Sequence, residues 1–165
     1  MKRIGILGDI GSGKTYIAKC FGFPVFNADL EVAKIYKYNR KVFQKLKKEL
    51  PNYFDSFPVK KKEIINAILS NRKNLKRIIK IVHREVRKKM NDFLRKNKHK
   101  KLVVLDIPLL LENKINKKKD ILIFVEAKKS EILKRLKKRK NFRIDLYNNF
   151  KKMQLSLVLK KKKSQ

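Results

Sequence analysis

Apolar and polar positions follow two different periods along this chain. Leu75, Ile78, Ile79, Val82, Val86, Met90 and Phe93 recur at steps of three and four, which predicts a helix with one apolar stripe. Leu102-Val103-Val104-Leu105 and Ile121 to Val125 are continuous apolar runs, as expected of strands buried on both faces. The run over residues 2–7 ends at Gly8 and predicts an opening strand, and Val25-Phe26 predicts a short one after it. Helices are expected from Thr15 to Phe21, from Leu30 towards Leu50, and from Ser130 to Lys140. The stretch Pro51 to Pro58, with Asn52 and Asp55, reads as a loop, and the tail Lys160 to Gln165 as charged and frayed. Strands alternating with helices imply an α/β fold with a parallel sheet under helical cover. No internal repeat or domain boundary interrupts residues 1–165.

Composition narrows the picture. A chain of 165 residues with 42% hydrophobic positions is long and apolar enough for one packed domain, which argues against wholesale disorder. No apolar run approaches the roughly 18 residues that span a membrane. The stretch Ile4 to Leu7 behind Met1-Lys2-Arg3 is too short for a secretion signal. One cysteine, Cys20, forms no internal disulfide, and no Cys/His cluster suggests zinc. A cytoplasmic chain with no membrane partner, working as a monomer, is expected. The charge is extreme: 47 Lys+Arg against 14 Asp+Glu gives +33. Such a surface clings to RNA at low salt. The lysines are spread along almost the whole chain in company with Ile and Asn, as a compositional bias would spread them.

The sharpest motif is Gly8-Asp9-Ile10-Gly11-Ser12-Gly13-Lys14-Thr15, which satisfies G-x-x-x-x-G-K-[ST] at every fixed position. Glycines let successive N–H groups turn inward around phosphate. Lys14 can reach the β- and γ-phosphates, and the Thr15 hydroxyl can ligate Mg2+. The motif falls where it must, between a predicted strand and a predicted helix. Four of the five glycines (Gly5, Gly8, Gly11 and Gly13) are concentrated there. The order G-x-x-G-x-G, with no later glycine at the required spacing, disfavours a dinucleotide fingerprint. The motif implies an ATP site formed by Gly8, Gly11, Ser12, Gly13, Lys14, Thr15 and the adjoining Tyr16.

Other residues carry less specific signals. Asp29 follows the second strand, at the carboxyl edge where a parallel sheet presents ligands. It suits a general base or a magnesium-shell carboxylate, and equally the N-cap of a helix beginning at Leu30. Asp106 closes the run Leu102–Leu105, where a carboxylate orients magnesium. Pro108 stops that strand, and Leu109-Leu110-Leu111 reads as core. His83 and Arg87, four apart, share a helix face, either at the surface or towards a ligand. Lys134, Arg135, Lys138 and Arg139 form a cationic stripe. It is either a solvated face or a group that closes over a triphosphate.

These residues, in this order, resemble the dephospho-CoA kinase family. The phosphate loop corresponds to G-G-I-G-S-G-K-S, and Asn27-Ala28-Asp29 to D-A-D. His83-Arg84-Glu85-Val86-Arg87 corresponds to H-P-x-[IV]-R, and Asp106-Ile107-Pro108-Leu109-Leu110-Leu111-Glu112 to D-I-P-L-L-F-E. Arg135-Leu136-Lys137-Lys138-Arg139 is similar to the lid motif R-L-x-x-R, and Gln154 to a later glutamine. The resemblance implies a three-layer P-loop fold in one kinase domain over residues 1–165. It further implies a helical CoA-binding insertion at about 30–98 and a lid at about 128–150. The implied reaction moves the ATP γ-phosphoryl to the ribose 3′-hydroxyl of dephospho-CoA. By that carry-over Asp29 is the base, Lys14 with Arg135 or Arg139 stabilises phosphoryl charge, and Thr15 and Asp106 hold Mg2+. Asp29, His83, Arg87 and Asp106 face the acceptor substrate. Asn27 and Arg84 depart from the motifs, and the A-D-x-V-I-x-N-x-G strand expected beyond the lid is not found before Gln165. The alternatives are another small-molecule P-loop kinase, or a truncated or inactive P-loop protein holding nucleotide or RNA by charge.

Overall fold

The computed structural model describes residues 1–138 and 142–164. Four strands, β1 (Lys2–Gly8), β2 (Val25–Asn27), β3 (Leu102–Asp106) and β4 (Ile121–Val125), form one parallel sheet in the order β2-β3-β1-β4. The α/β class expected from the alternating elements is the class found. The register aligns Asn27 with Asp106 and Gly8 with Val125, so the four carboxyl ends share one edge. The chain leaves β1 to form β2 two places away on one side and later returns to place β4 on the other. The end of β1 therefore lies where the strand order reverses, the position at which open α/β sheets hold ligands.

The described residues divide into two compact units. The first, Met1–Ala28 with Phe93–Gln165, contains the sheet. Helix α1 (Lys14–Cys20) covers one face, where Ala18 packs with Ile4, Ile6 and Val104. On the opposite face of β1, Gly5 has no room for a side chain: a Cβ would lie 2.4 Å from Leu110. Leu110 is fully buried, as the core reading of Leu109–Leu111 expects. Helices α6 (Lys129–Lys137), α7 (Ile144–Lys151) and α8 (Leu157–Lys162) complete the unit, and α8 packs against β1.

At the sheet's amino edge Arg3 donates from Nε to Asp120 Oδ1 at 2.7 Å and pairs with Oδ2 through Nη2. Both side chains are buried, so each supplies the charge the other needs. The basic tail, expected to fray, is helical through Lys162. Lys160 is 1% exposed, and its ammonium lies 2.9 Å from Glu112 Oε1 and donates to Gln154 Oε1 at 3.2 Å. A buried carboxylate partner overrides the expectation drawn from a run of lysines.

The second unit, Asp29–Asp92, is helical. The expected helix from Leu30 towards Leu50 is two helices, α2 (Ala28–Tyr38) and α3 (Arg40–Glu49). Asn39 makes the break: its backbone is extended and its side chain accepts from Val42 N at 3.0 Å, capping α3. Helix α4 (Lys61–Ser70) lies in a stretch for which the apolar spacing predicted nothing. Its first turn is fixed by Glu63, which accepts from the backbone N–H of Lys60 at 2.6 Å and of Asp55 at 2.9 Å. Helix α5 (Arg72–Lys96) is the predicted stripe, burying Leu75, Ile78, Val82, Val86 and Met90.

Candidate active site

β1 ends in a loop that only glycine can build. Gly8, Gly11 and Gly13 have φ of 144°, 83° and 101°, all in the region that side chains disfavour. A Cβ on Gly8 would also lie 2.6 Å from the Val125 carbonyl oxygen. Lys14, almost wholly buried, folds over this loop, where Nζ donates to Asp9 O at 2.6 Å and to Gly8 O at 3.4 Å. Among the described residues the Ser12 hydroxyl is buried with no hydrogen-bond partner. An orphaned donor in the same loop as a buried ammonium fits a site whose partner is an anion.

The carboxyl edge adds an acid. Asp106 is buried at the end of β3, and its Oδ2 accepts from Thr15 Oγ1 at 2.6 Å and from Asn27 Nδ2 at 2.5 Å. A buried carboxylate closing a strand requires such donors. Asn27 supplies an amide donor where the D-A-D motif would set a second carboxylate beside the first. Thr15 and Asp106 thus present two hard oxygen ligands within hydrogen-bond distance of each other. That is a fitting donor set for Mg2+, which takes one or two protein oxygens and fills its octahedron with water and phosphate.

A cleft of about 500 Å³ opens beside the loop, lined in part by Ser12, Gly13, Tyr16, Glu126, Lys128 and Arg135. Arg135 Nη1 donates to Ser12 O at 3.4 Å, so one cation of the α6 stripe reaches the phosphate loop. Gly11 brings the loop against the same helix, since a Cβ there would lie 3.1 Å from Leu136. Tyr16, 73% exposed, stands at the cleft. Arg139 lies outside the described residues.

The sequence model of the dephospho-CoA kinase family matches residues 2–165. The chain belongs to the dephospho-CoA kinase family. A dephospho-CoA kinase of Wolbachia pipientis wMel is 32% identical over 98% of this chain and 85% of its own length. The dephospho-CoA kinase of Bartonella henselae is 35% identical over 77% of this chain and 67% of its own length. Among solved structures, TT1252 from Thermus thermophilus superposes with a TM-score of 0.78 at 26% identity, over 99% of this chain and 85% of that one. A Campylobacter jejuni dephospho-CoA kinase, at 23% identity and a TM-score of 0.61 over 100% of this chain and 86% of that one, shows the shared fold. As a member of this kinase family the chain is an ATP-dependent phosphotransferase with a P-loop NTPase fold.

The remaining candidates lie in the helical unit. Asp29 is exposed in the first turn of α2, which begins at Ala28 rather than at Leu30, so it stands inside the helix and not at its N-cap. His83 and Arg87 share a face of α5. Burial, with the Arg87 charge nearby, holds the His83 imidazole below its ordinary pKa. Sequence reasoning missed the polar partners that brace the site: the bond from Asn27 to Asp106, and the pair between Asp9 and Lys151. Asn27 carried a signal as a departure from a motif. Lys151, 142 positions from Asp9 in a lysine-rich segment, carried none.

Proposed function

We propose that this chain transfers the γ-phosphoryl group of ATP to the ribose 3′-hydroxyl of dephospho-CoA, the last step of coenzyme A synthesis. The observation that carries the chemistry is the Thr15 hydroxyl bonded to the buried Asp106 carboxylate directly beside a glycine loop closed by Lys14. Phosphoryl transfer asks the protein for positioning and charge stabilisation more than for covalent steps. The loop N–H groups and Lys14 hold the β- and γ-phosphates. Arg135, and Arg139 on the same stripe, add positive charge as negative charge spreads over the moving group. Thr15 and Asp106 would hold Mg2+, which neutralises phosphate charge when bound. Asp29 takes the proton from the 3′-hydroxyl as that oxygen attacks. Asp106 aligns the acceptor side of the site, and His83 and Arg87 bind dephospho-CoA on the helical portion, about 30–98. The segment of about 128–150 serves as the lid, and Tyr16 borders the nucleotide.

The chain is read as a cytoplasmic monomer. No described helix is long and apolar enough to cross a membrane. Its charge of +33 supports salt-sensitive, non-specific RNA association as a secondary property.

The test is an assay with purified chain, Mg-ATP and dephospho-CoA that identifies the phosphorylated product. Phosphate on the 3′-position is expected. ATP bound without transfer to dephospho-CoA, and with transfer to another small acceptor, would overturn the substrate assignment.

A further inference from the structure

Asp9 has no part in the chemistry above, and its place is electrostatically adverse. It contributes a carboxylate to the loop that must hold a polyanion. At 8% exposed it has little water to screen it. Yet Asp9 is woven into the loop. Its carbonyl oxygen accepts from Lys14 Nζ at 2.6 Å and from Ser12 N at 3.2 Å. Its Oδ1 accepts from Ile10 N at 2.7 Å. The remaining oxygen, Oδ2, pairs with Lys151 Nζ, from the last turn of α7.

That division of labour gives each oxygen a purpose. Oδ1 fixes the loop backbone, and the carbonyl fixes the phosphate-binding lysine. Only the charge is a liability, and Lys151 meets it. The Lys151 side chain is 37% exposed, but that of Asp9 is buried, so the pair is better shielded than a surface ion pair.

We propose that Lys151 is a positioning residue for the nucleotide: by neutralising Asp9 it lets an acidic phosphate loop accept ATP. The inference rests on the reading of this loop as the ATP site. It makes Asp9 and Lys151 one device, in which loss of the cation is harmful only while the carboxylate keeps its charge.

The experiment measures ATP affinity, KM for ATP, kcat and thermal midpoint for wild type, Lys151→Met, Lys151→Arg, Asp9→Asn and the double variant Asp9→Asn/Lys151→Met. Lys151→Met is expected to raise KM and Kd for ATP about tenfold, the scale of one uncompensated charge near a charged ligand. Its kcat should stay within about twofold, and the defect should shrink as salt is raised. Lys151→Arg should behave as wild type. In the double variant the side-chain amide can still accept from Ile10 N through its oxygen but carries no charge, so ATP affinity should return. Unchanged ATP affinity in Lys151→Met overturns the inference. So does a defect that Asp9→Asn fails to relieve, which would mean that Lys151 touches phosphate itself or only supports folding. Wild-type chain that binds no ATP would overturn the phosphate-site reading and this inference with it. Wild type that binds ATP beside an unaffected Lys151→Met overturns the inference alone.

Discussion

The sheet-bearing unit buries Arg3, Asp9, Lys14, Asp106, Asp120 and Lys160, whereas among the described residues of the helical unit the buried polar side chain is Asn74. The helical unit closes instead on Ile35, Val42, Leu46, Leu50, Phe54, Ile68, Leu75, Ile78 and Val82. Buried charge is costly, and a protein keeps it only where each charge meets a partner of defined geometry. In the sheet-bearing unit those partners are Asp120, Lys151, the loop carbonyls, Thr15 with Asn27, and Glu112. Rigid polar bracing is thus concentrated where phosphate chemistry needs preorganised donors. The helical unit, proposed to hold the acceptor, is kept together by apolar packing that has no single preferred direction.

The sharpest separation of the two units is kinetic. Asp29 opens the helical unit, while the phosphate loop belongs to the other. Asp29→Asn should lower turnover by about 10²–10⁴, the worth of a general base, and leave ATP affinity near wild type. Turnover and ATP titration on the same preparation check this. Unchanged turnover would remove Asp29 from the mechanism.

Stability separates the units next. Asp120→Ala leaves the Arg3 guanidinium buried without its carboxylate and should cost about 3–5 kcal/mol. Leu46→Ala empties a fully buried position of the helical unit and should cost about 2–5 kcal/mol. The contrast lies in rescue. Leu46→Met should recover most of the loss, because an apolar core accepts a volume-conserving swap. Asp120→Asn, isosteric but uncharged, should recover little. Urea unfolding of the four variants decides the matter, and a well-tolerated Asp120→Asn would break the comparison. A smaller loss is expected from Gly11→Ala, about 1–3 kcal/mol, because the new methyl meets Leu136 at 3.1 Å on a backbone with φ of 83°. Thermal denaturation with and without ATP checks it, and a neutral result would mean that α6 yields at no cost.

The same contrast explains what could be read from the residues alone. The strands, α1 and the phosphate loop were legible because continuous apolar runs and a glycine-lysine motif are local signals. Asp106 was legible too, since a carboxylate closing a buried strand demands partners, although the sequence did not name Thr15 and Asn27 as those partners. Helix α4 and the break at Asn39 were not, because a cap depends on one side-chain bond inside a stretch of ordinary composition. The buried Lys160 was hidden among neighbouring lysines. Nothing local distinguishes it from Lys161, which pairs at the surface with Glu126.

The smallest expected effect concerns His83, on α5 of the helical unit. Burial first, and the Arg87 charge second, lower its pKa below the ordinary 6.5. The folded chain therefore resists a proton that the unfolded chain accepts. The sign follows: the stability tied to neutral His83 is fully present above pH 6.5 and is lost as pH falls through the lowered folded-state value. His83→Gln removes that slice. Between about pH 7.5 and pH 5 the wild-type thermal midpoint should fall further than that of the variant, by roughly 1–2 °C after allowance for solvent screening. Parallel midpoints across that range would show that the His83 environment does not discriminate between its two charge states. A reversed difference would mean that a carboxylate, and not Arg87, governs the imidazole.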